Sequence, residues 1–83
     1  MAEIVYTRSS LKELMRIGAV ERARVVAKLE QYAREPASLA NQVKALKGSA
    51  SFRLRVGDYR VIFAADGERI VILKAGHRRD VYE

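Results

Sequence analysis

The stretch SFRLRVGDYRVIF, residues 51–63, decides the fold, because it predicts two strands joined by a tight turn. Gly57 and Asp58 form the turn, and a glycine at the first position of a two-residue loop suits a type II′ hairpin. A two-residue turn fixes the register of the strands, which pairs Val56 with Tyr59. The sequence therefore predicts an antiparallel hairpin in the second half of the chain.

The same register places three arginines on one face of the hairpin. It pairs Arg55 with Arg60 and Arg53 with Ile62, and side chains alternate between the two faces of a strand. Like charges directly opposite each other destabilise a sheet, and a chain of 83 residues has little stability to spare. We therefore expect this face to bind an anion. The alternatives are a solvated basic face, or a docking surface for an acidic protein segment.

The composition indicates a small folded protein. Its 83 residues predict a single domain, 1–83, and 49% hydrophobic residues argue against intrinsic disorder. The chain has no cysteine and one histidine, so we expect neither a metal nor a cofactor. The start of the chain lacks the features of a signal peptide, and no stretch approaches the ~20 apolar residues of a membrane span. We therefore expect a cytoplasmic protein with no membrane partner.

The charge balance indicates a polyanionic partner. Lysine and arginine number 16 against 10 acidic residues, which gives a net charge of +6 and a pI near 10.1. Such a balance favours binding to nucleic acid or to an acidic protein. Solubility alone is the alternative explanation.

Periodicity predicts a short strand at residues 3–6 and a helix after it. Ser10 and Glu13 match a capping box, so the first helix is expected to begin at Ser10. Its apolar face then comprises Leu11, Leu14 and Met15. Gly18 breaks this pattern.

A second helix is predicted from about residue 20 to 34, with Glu35 and Pro36 stopping it. We expect its buried face to comprise Ala23, Val26, Leu29 and Ala33, with Val25 and Tyr32 at the margin. Three strands follow, at residues 52–56, 59–65 and about 69–75. The order β-α-α-β-β-β predicts an α+β domain, in which the N-terminal strand and a helical hairpin pack on a small, mainly antiparallel sheet.

Three segments together resemble the RelE/ParE toxin superfamily, and its RelE-type members in particular. They are LKG at 46–48, FRLRVGDYRVIF at 52–63 and GHRRDVY at 76–82. The resemblance implies a RelE-like fold and a toxin of a type II toxin–antitoxin pair. RelE-type members bind in the ribosomal A site and cleave mRNA there as metal-independent endoribonucleases. A cognate antitoxin holds them inactive. An acidic or amphipathic segment of such an antitoxin would suit this basic chain. The toxin and antitoxin could then form a heterotetramer.

The resemblance also assigns catalytic positions. Arg53 and Arg55 match basic residues of the family that are often lysine, and Arg60 matches an arginine proposed to contact the scissile phosphate. Arg78 and Tyr82 match a basic residue and a tyrosine near the chain end. Arginine stays protonated and is a poor base. Tyr82 is therefore the first candidate for deprotonating the 2′-hydroxyl; stacking on an RNA base, or packing of the chain end, are its alternatives.

Four further residues are candidate contacts to RNA or the ribosome: Lys44, Lys47, His77 and Arg79. His77 is also a candidate acid or base, because its side chain titrates near neutrality, although single histidines are more often structural. For the lysines and Arg79, an exposed charged surface is the alternative.

Two other functions fit the same superfamily. One is a ParE-like protein that poisons DNA gyrase through protein contacts, although gyrase-directed relatives generally lack the full set of basic residues and tyrosine. The other is an inactive homologue that only binds its antitoxin. Since one fold serves all three, the fold cannot choose among them.

Overall fold

A computed structural model describes residues 2–81 as two helices packed on a five-stranded mixed sheet. The elements in chain order are β1 (Glu3–Tyr6), α1 (Arg8–Arg16), α2 (Ala19–Arg34), a 3₁₀ helix (Pro36–Leu39), β2 (Val43–Ala45), β3 (Ser51–Val56), β4 (Tyr59–Asp66) and β5 (Arg69–His77). The strand order is β1-β5-β4-β3-β2, with β1 parallel to β5 and every other pair antiparallel. The predicted α+β class is confirmed. The short β2 and the 3₁₀ helix are additions that the weak periodicity after Pro36 did not reveal.

The core lies between the helices and one face of the sheet. Phe63 is its largest fully buried side chain, and its ring lies 5.2 Å from that of Tyr32 on α2 and 5.5 Å from that of Phe52 on β3. Leu54 and Val61, which are partners across the β3–β4 hairpin, are also fully buried. Phe52, Tyr59 and Phe63 face this core, away from the arginines.

The predicted start of the first helix is wrong. α1 begins at Arg8, because Thr7 is its N-cap and accepts a hydrogen bond from Ser10 N–H at 3.1 Å. The buried Ser10 hydroxyl donates to the Thr7 carbonyl at 2.9 Å. Glu13 does not close a capping box; instead its carboxylate accepts from the Ala75 N–H on β5 at 3.1 Å. A tertiary partner has therefore replaced the local one.

The predicted apolar faces of both helices are only partly right. On α1, Leu14 is buried, whereas Leu11 and Met15 are 49% and 70% exposed, since α1 packs on β5 along a narrow stripe. On α2, the buried row is Val25, Leu29 and Ala33, and Ala23 is exposed. Arg22, beside Ala23, donates to the Ile17 carbonyl at 3.1 Å and so helps fix the rotation of α2 about its axis.

None of the helices within residues 2–81 combines the length and the apolar character needed to cross a membrane.

Candidate nucleic-acid interface

The predicted hairpin register is confirmed. Gly57 has a φ of +59°, and no non-glycine residue between 2 and 81 has a positive φ, which is the pattern of a type II′ turn. Arg55 pairs with Arg60, and Arg53 pairs with Ile62. All three arginines therefore lie on the sheet face that the helices leave uncovered, which we call the arginine face. Arg53 and Arg60 are half-buried, whereas Arg55 is exposed.

Two further cations extend the arginine face in one row across the sheet. Lys44 on β2 is the partner of Arg53, and Lys74 on β5 is the partner of Ile62. The row therefore reads Lys44, Arg53, Ile62 and Lys74 across four strands. Both lysines are exposed. Lys44 was expected among the RNA contacts, whereas Lys74 was not.

A β-bulge in β5 explains why Lys74 escaped the sequence analysis. Ile62 pairs with Lys74, but Phe63 pairs with Ile72, so Leu73 is the additional residue on β5. Strict alternation would place Lys74 on the same face as Ile72, in the core. A bulge changes which face the following residues occupy, and here it places Lys74 on the arginine face. Residues 69–75, RIVILKA, contain no glycine or proline that would have indicated the bulge.

The turn end of the β3–β4 hairpin opens into a cleft of about 640 Å³. Its charged lining residues are Arg24, Lys28, Arg55, Asp58, Arg60 and Arg78. Five cations thus converge with one acid. We call this space the arginine cleft; it brings together three of the predicted catalytic residues, Arg55, Arg60 and Arg78.

Backbone hydrogen bonds hold Arg78 at the cleft. Its N–H donates to the Asp58 carbonyl at 2.8 Å, which ties the segment after β5 to the β3–β4 turn. That segment is itself closed by the Asp80 N–H, which donates to the His77 carbonyl at 2.8 Å. The side chain of Arg78 therefore extends from a turn whose backbone is held by two hydrogen bonds.

His77 lies on the opposite side of the sheet from the arginines. It is the partner of Tyr59, and the two rings meet edge-on with centroids 5.6 Å apart. Its Nδ1 accepts a hydrogen bond from the Arg79 N–H at 3.2 Å. These contacts give His77 a structural role in the turn after β5. His77 does not line the arginine cleft itself, but it lines an adjoining pocket of about 410 Å³ together with the cleft residues Arg24, Gly57 and Asp58.

The remaining predicted site residues are dispersed. Arg79 is exposed in the turn after β5, and Lys47 is exposed in the turn that precedes β3. Arg53 lies on the arginine face beyond the lining of the cleft. Tyr82, the candidate base, lies outside the described residues.

Arg24 and Lys28 on α2 are cleft residues that the sequence analysis missed. In the sequence, both are polar positions of an amphipathic helix. Only the packing of α2 against the β3–β4 turn places them beside the arginines of the hairpin. Local periodicity carries no signal of that proximity.

The cleft is suited to phosphate groups. One guanidinium group can bind two phosphate oxygens at once. Several cations held in fixed positions stabilise a developing negative charge. No carboxylate within residues 2–81 forms an ion pair with Arg24, Lys28, Arg55 or Arg78; the ion pair between described residues is Arg69–Asp66, at 3.4 Å near the β4–β5 turn. Nor does that part of the chain contain a group of three or more His, Cys, Asp or Glu side chains able to hold a metal ion.

Comparison with known families decides the classification. The family described as "ParE toxin of type II toxin-antitoxin system, parDE" matches residues 4–82. The chain belongs to this family of toxins. This confirms the expected RelE/ParE superfamily. No curated protein matches the chain.

Solved structures agree on the fold of this ParE-family toxin. It is similar to a chain of the toxin–antitoxin complex RelBE2 from Mycobacterium tuberculosis, with a TM-score of 0.80, 26% identity, and coverage of 93% of this chain and 98% of that chain. A chain of the archaeal RelE–RelB complex from Pyrococcus horikoshii has a TM-score of 0.78 at 24% identity, covering 96% and 98%. A chain of the intact Escherichia coli RelBE complex has a TM-score of 0.74 at 22% identity, covering 93% and 96%. The likenesses below 25% identity support the RelE-like fold alone.

Proposed function

We propose that this toxin is a ribosome-dependent endoribonuclease that cleaves mRNA in the ribosomal A site and so inhibits translation. The observation that supports this best is the convergence of Arg55, Arg60 and Arg78 in one cleft. The hairpin turn and the Arg78–Asp58 backbone bond fix the positions from which these side chains extend, so little reorganisation is needed when a phosphate binds.

Cleavage without a metal needs three things from the protein. A 2′-hydroxyl must lose a proton, the phosphorane must be stabilised as negative charge develops on its oxygens, and the leaving oxygen must gain a proton. The arginines suit the second task, and Arg60 is the residue we assign to the scissile phosphate. They do not suit the first, because arginine remains protonated. Tyr82 is the proposed base.

The test is to map mRNA ends on translating ribosomes in the presence of the purified toxin. We expect cleavage within A-site codons, and a decrease of about 10²- to 10³-fold in the Arg60→Ala variant, as for loss of one charge-stabilising donor. Arg34→Ala is the matched control, because Arg34 is exposed at the far end of α2. Intact mRNA, or cleavage that Arg60→Ala leaves unchanged, would contradict the proposal.

Gyrase inhibition is the second candidate, and the match to the ParE family model favours it. A supercoiling assay run with the same preparations separates the two functions. Blocked supercoiling with intact mRNA would assign this chain to the gyrase-directed class. Neither effect, with no growth arrest, would indicate a module that only binds an antitoxin.

A cognate antitoxin is the proposed protein partner, and the compared structures whose titles name toxin–antitoxin complexes support it. On α1, Leu11 and Met15 expose apolar surface in a groove of about 610 Å³. Three cations flank it: Arg8, Lys12 and Arg16. This pattern suits an amphipathic segment with acidic residues, in a complex that could be a heterotetramer.

Co-purification with the product of the neighbouring reading frame tests this partner. Met15→Glu should weaken the complex, because it places a charge in the apolar groove. Val20→Glu is the control, since Val20 is 72% exposed and does not line the groove. Equal effects of the two changes would refute this contact.

A further inference from the structure

The arginine cleft extends beyond the sheet onto α2. Arg24 and Lys28 are one turn apart, which separates them by about 6 Å along the helix axis. A Cβ atom built on Gly57 would lie 3.8 Å from the Arg24 Nη2, so this guanidinium lies over the β3–β4 turn. The two α2 cations therefore continue a line of positive charge that begins at Arg55 and Arg60.

The short β2 strand opens the route between the two sides of the sheet. Its pairing with β3 ends at Val43 and Leu54, and beyond that point the Arg55 N–H is held by the Gln42 carbonyl at 2.9 Å. Val56, the last residue of β3, therefore lies beyond the end of β2. The cleft passes around this end of β3, because its lining includes residues of α2 as well as Arg60 of the arginine face.

The lining of the cleft favours a phosphate backbone over a protein surface. Its uncharged side chains within residues 2–81 are Ala27, Gln42 and Val56, and Val56 is only 6% exposed. No aromatic side chain of that part of the chain lines the cleft. Protein interfaces are enriched in exposed aromatic and apolar anchors at their centre, whereas a cationic groove that follows the backbone is typical of single-stranded nucleic acid binding.

We propose that Arg24 and Lys28 bind phosphates that flank the scissile phosphate, so that the RNA strand leaves the arginine face at the β3–β4 turn and continues along α2. The identity of the ligand as single-stranded RNA rests on the proposed function. The route itself follows from the continuity of the cleft. Arg24 and Lys28 are binding residues in this scheme, and they contribute nothing to proton transfer.

The test measures binding of fluorescein-labelled 2′-O-methyl RNA, which cannot be cleaved, by anisotropy without ribosomes. Oligonucleotides of about 3 to about 12 nucleotides span the range of single-strand site sizes. We expect wild-type affinity to rise with length. The R24Q/K28Q variant should bind the shortest RNA as wild type does and the longest about 10- to 100-fold more weakly. Its salt dependence, log K against log salt, should become shallower by about 1.4, which is about 0.7 for each lost phosphate contact.

The R34Q/R69Q variant is the matched control, because it removes the same charge from exposed positions outside the cleft. Equal losses in R24Q/K28Q and R34Q/R69Q would mean a net-charge effect and overturn the route. Unchanged binding of the longest RNA by R24Q/K28Q would overturn it too. Weaker co-purification of the antitoxin with R24Q/K28Q, but unchanged RNA binding, would assign the α2 cations to the protein partner instead.

The outcome is separable from that of the proposed function. If the length-dependent loss is seen but mRNA on ribosomes stays intact, the RNA route stands and the endonuclease proposal fails. If A-site cleavage occurs and R24Q/K28Q binds and cleaves as wild type does, the endonuclease proposal stands and the route fails. Thermal unfolding of each variant shows whether it is folded. The single variants R24Q and R24E compare loss with reversal of one charge, and R24E should weaken binding of the longest RNA more than R24Q does.

Discussion

The two faces of the central hairpin are built from alternate residues of the same strands, yet one contributes stability and the other carries charge. On the face covered by the helices, Leu54, Val61 and Phe63 are fully buried. On the other face, Arg55 and Arg60 lie opposite each other. A sheet covered on one side needs apolar residues only at every second position, which leaves the intervening positions free for function.

The arginine face is not uniformly polar. Ile62 lies on it and is only 6% exposed. Its partners on the two sides are Arg53 and Lys74, and the alkyl stems of such side chains can cover an apolar neighbour while their charges stay in water. The long cations thus serve the fold through their stems and the ligand through their ends. The residues of the helix-packed face have only the first of these tasks, which is to stabilise the fold by packing.

Phe63→Ala should produce the largest effect in this comparison. It removes the largest fully buried side chain and its contacts with Tyr32 and Phe52. We expect a loss of about 3–5 kcal/mol in the free energy of unfolding, measured by urea denaturation. If that variant does not fold, Phe63→Leu should show a smaller loss of the same sign. A loss of less than about 1 kcal/mol would mean that this face does not dominate stability.

Lys74→Gln tests whether the bulge in β5 adds a functional cation to the arginine face. We expect A-site cleavage to fall about tenfold, equivalent to about 1.4 kcal/mol, with the free energy of unfolding changed by less than about 0.5 kcal/mol. Lys74→Arg, which keeps the charge, should retain most of the activity. Full activity in Lys74→Gln would exclude Lys74 from the site.

The comparison also shows how far sequence can predict this molecule. The register of the hairpin followed from two adjacent residues, Gly57 and Asp58, because a two-residue turn leaves one pairing. The face of Lys74 did not follow, since it depends on a bulge in β5 that the local sequence does not indicate. The local sequence was therefore enough to predict the shared face of Arg53, Arg55 and Arg60. The position of Lys74 depends on tertiary structure.

The helices illustrate the same limit. Their existence and approximate ends were predictable from periodicity and from Pro36. Their rotation was not, because Glu13 and Arg22 bind backbone groups of other segments. Arg24 and Lys28 could be assigned to the cleft only once that rotation was known. A helix surface read from sequence alone shows which residues are polar, but not what they face.

Arg55→Gln should change the free energy of unfolding by less than Phe63→Ala does, and in the opposite direction. Arg55 and Arg60 are direct partners, and removing one of two like charges that face each other should raise the free energy of unfolding by about 0.2–1 kcal/mol. The gain should shrink as salt is added, because exposed charges are screened. Arg34→Gln serves as the control for net charge. A loss of stability at low salt would show that the paired arginines contribute more through packing than they cost through repulsion.

Tyr6→Phe should give the smallest effect, and one that appears only at alkaline pH. Tyr6 lies on β1 against the helix-packed core, and burial, with the nearby Glu30 carboxylate as a second cause, raises the pKa of its phenol above the usual range. Because the folded-state pKa exceeds the unfolded one, the stabilisation is present at neutral pH and is lost as pH rises through the folded pKa. The variant lacks this titration, so its melting temperature should fall less steeply than that of wild type above about pH 10. Glu30→Gln removes only the second cause and should give an intermediate slope. Parallel curves for wild type and Tyr6→Phe would mean that ionisation of Tyr6 is not coupled to unfolding, and that alkaline stability depends on other groups.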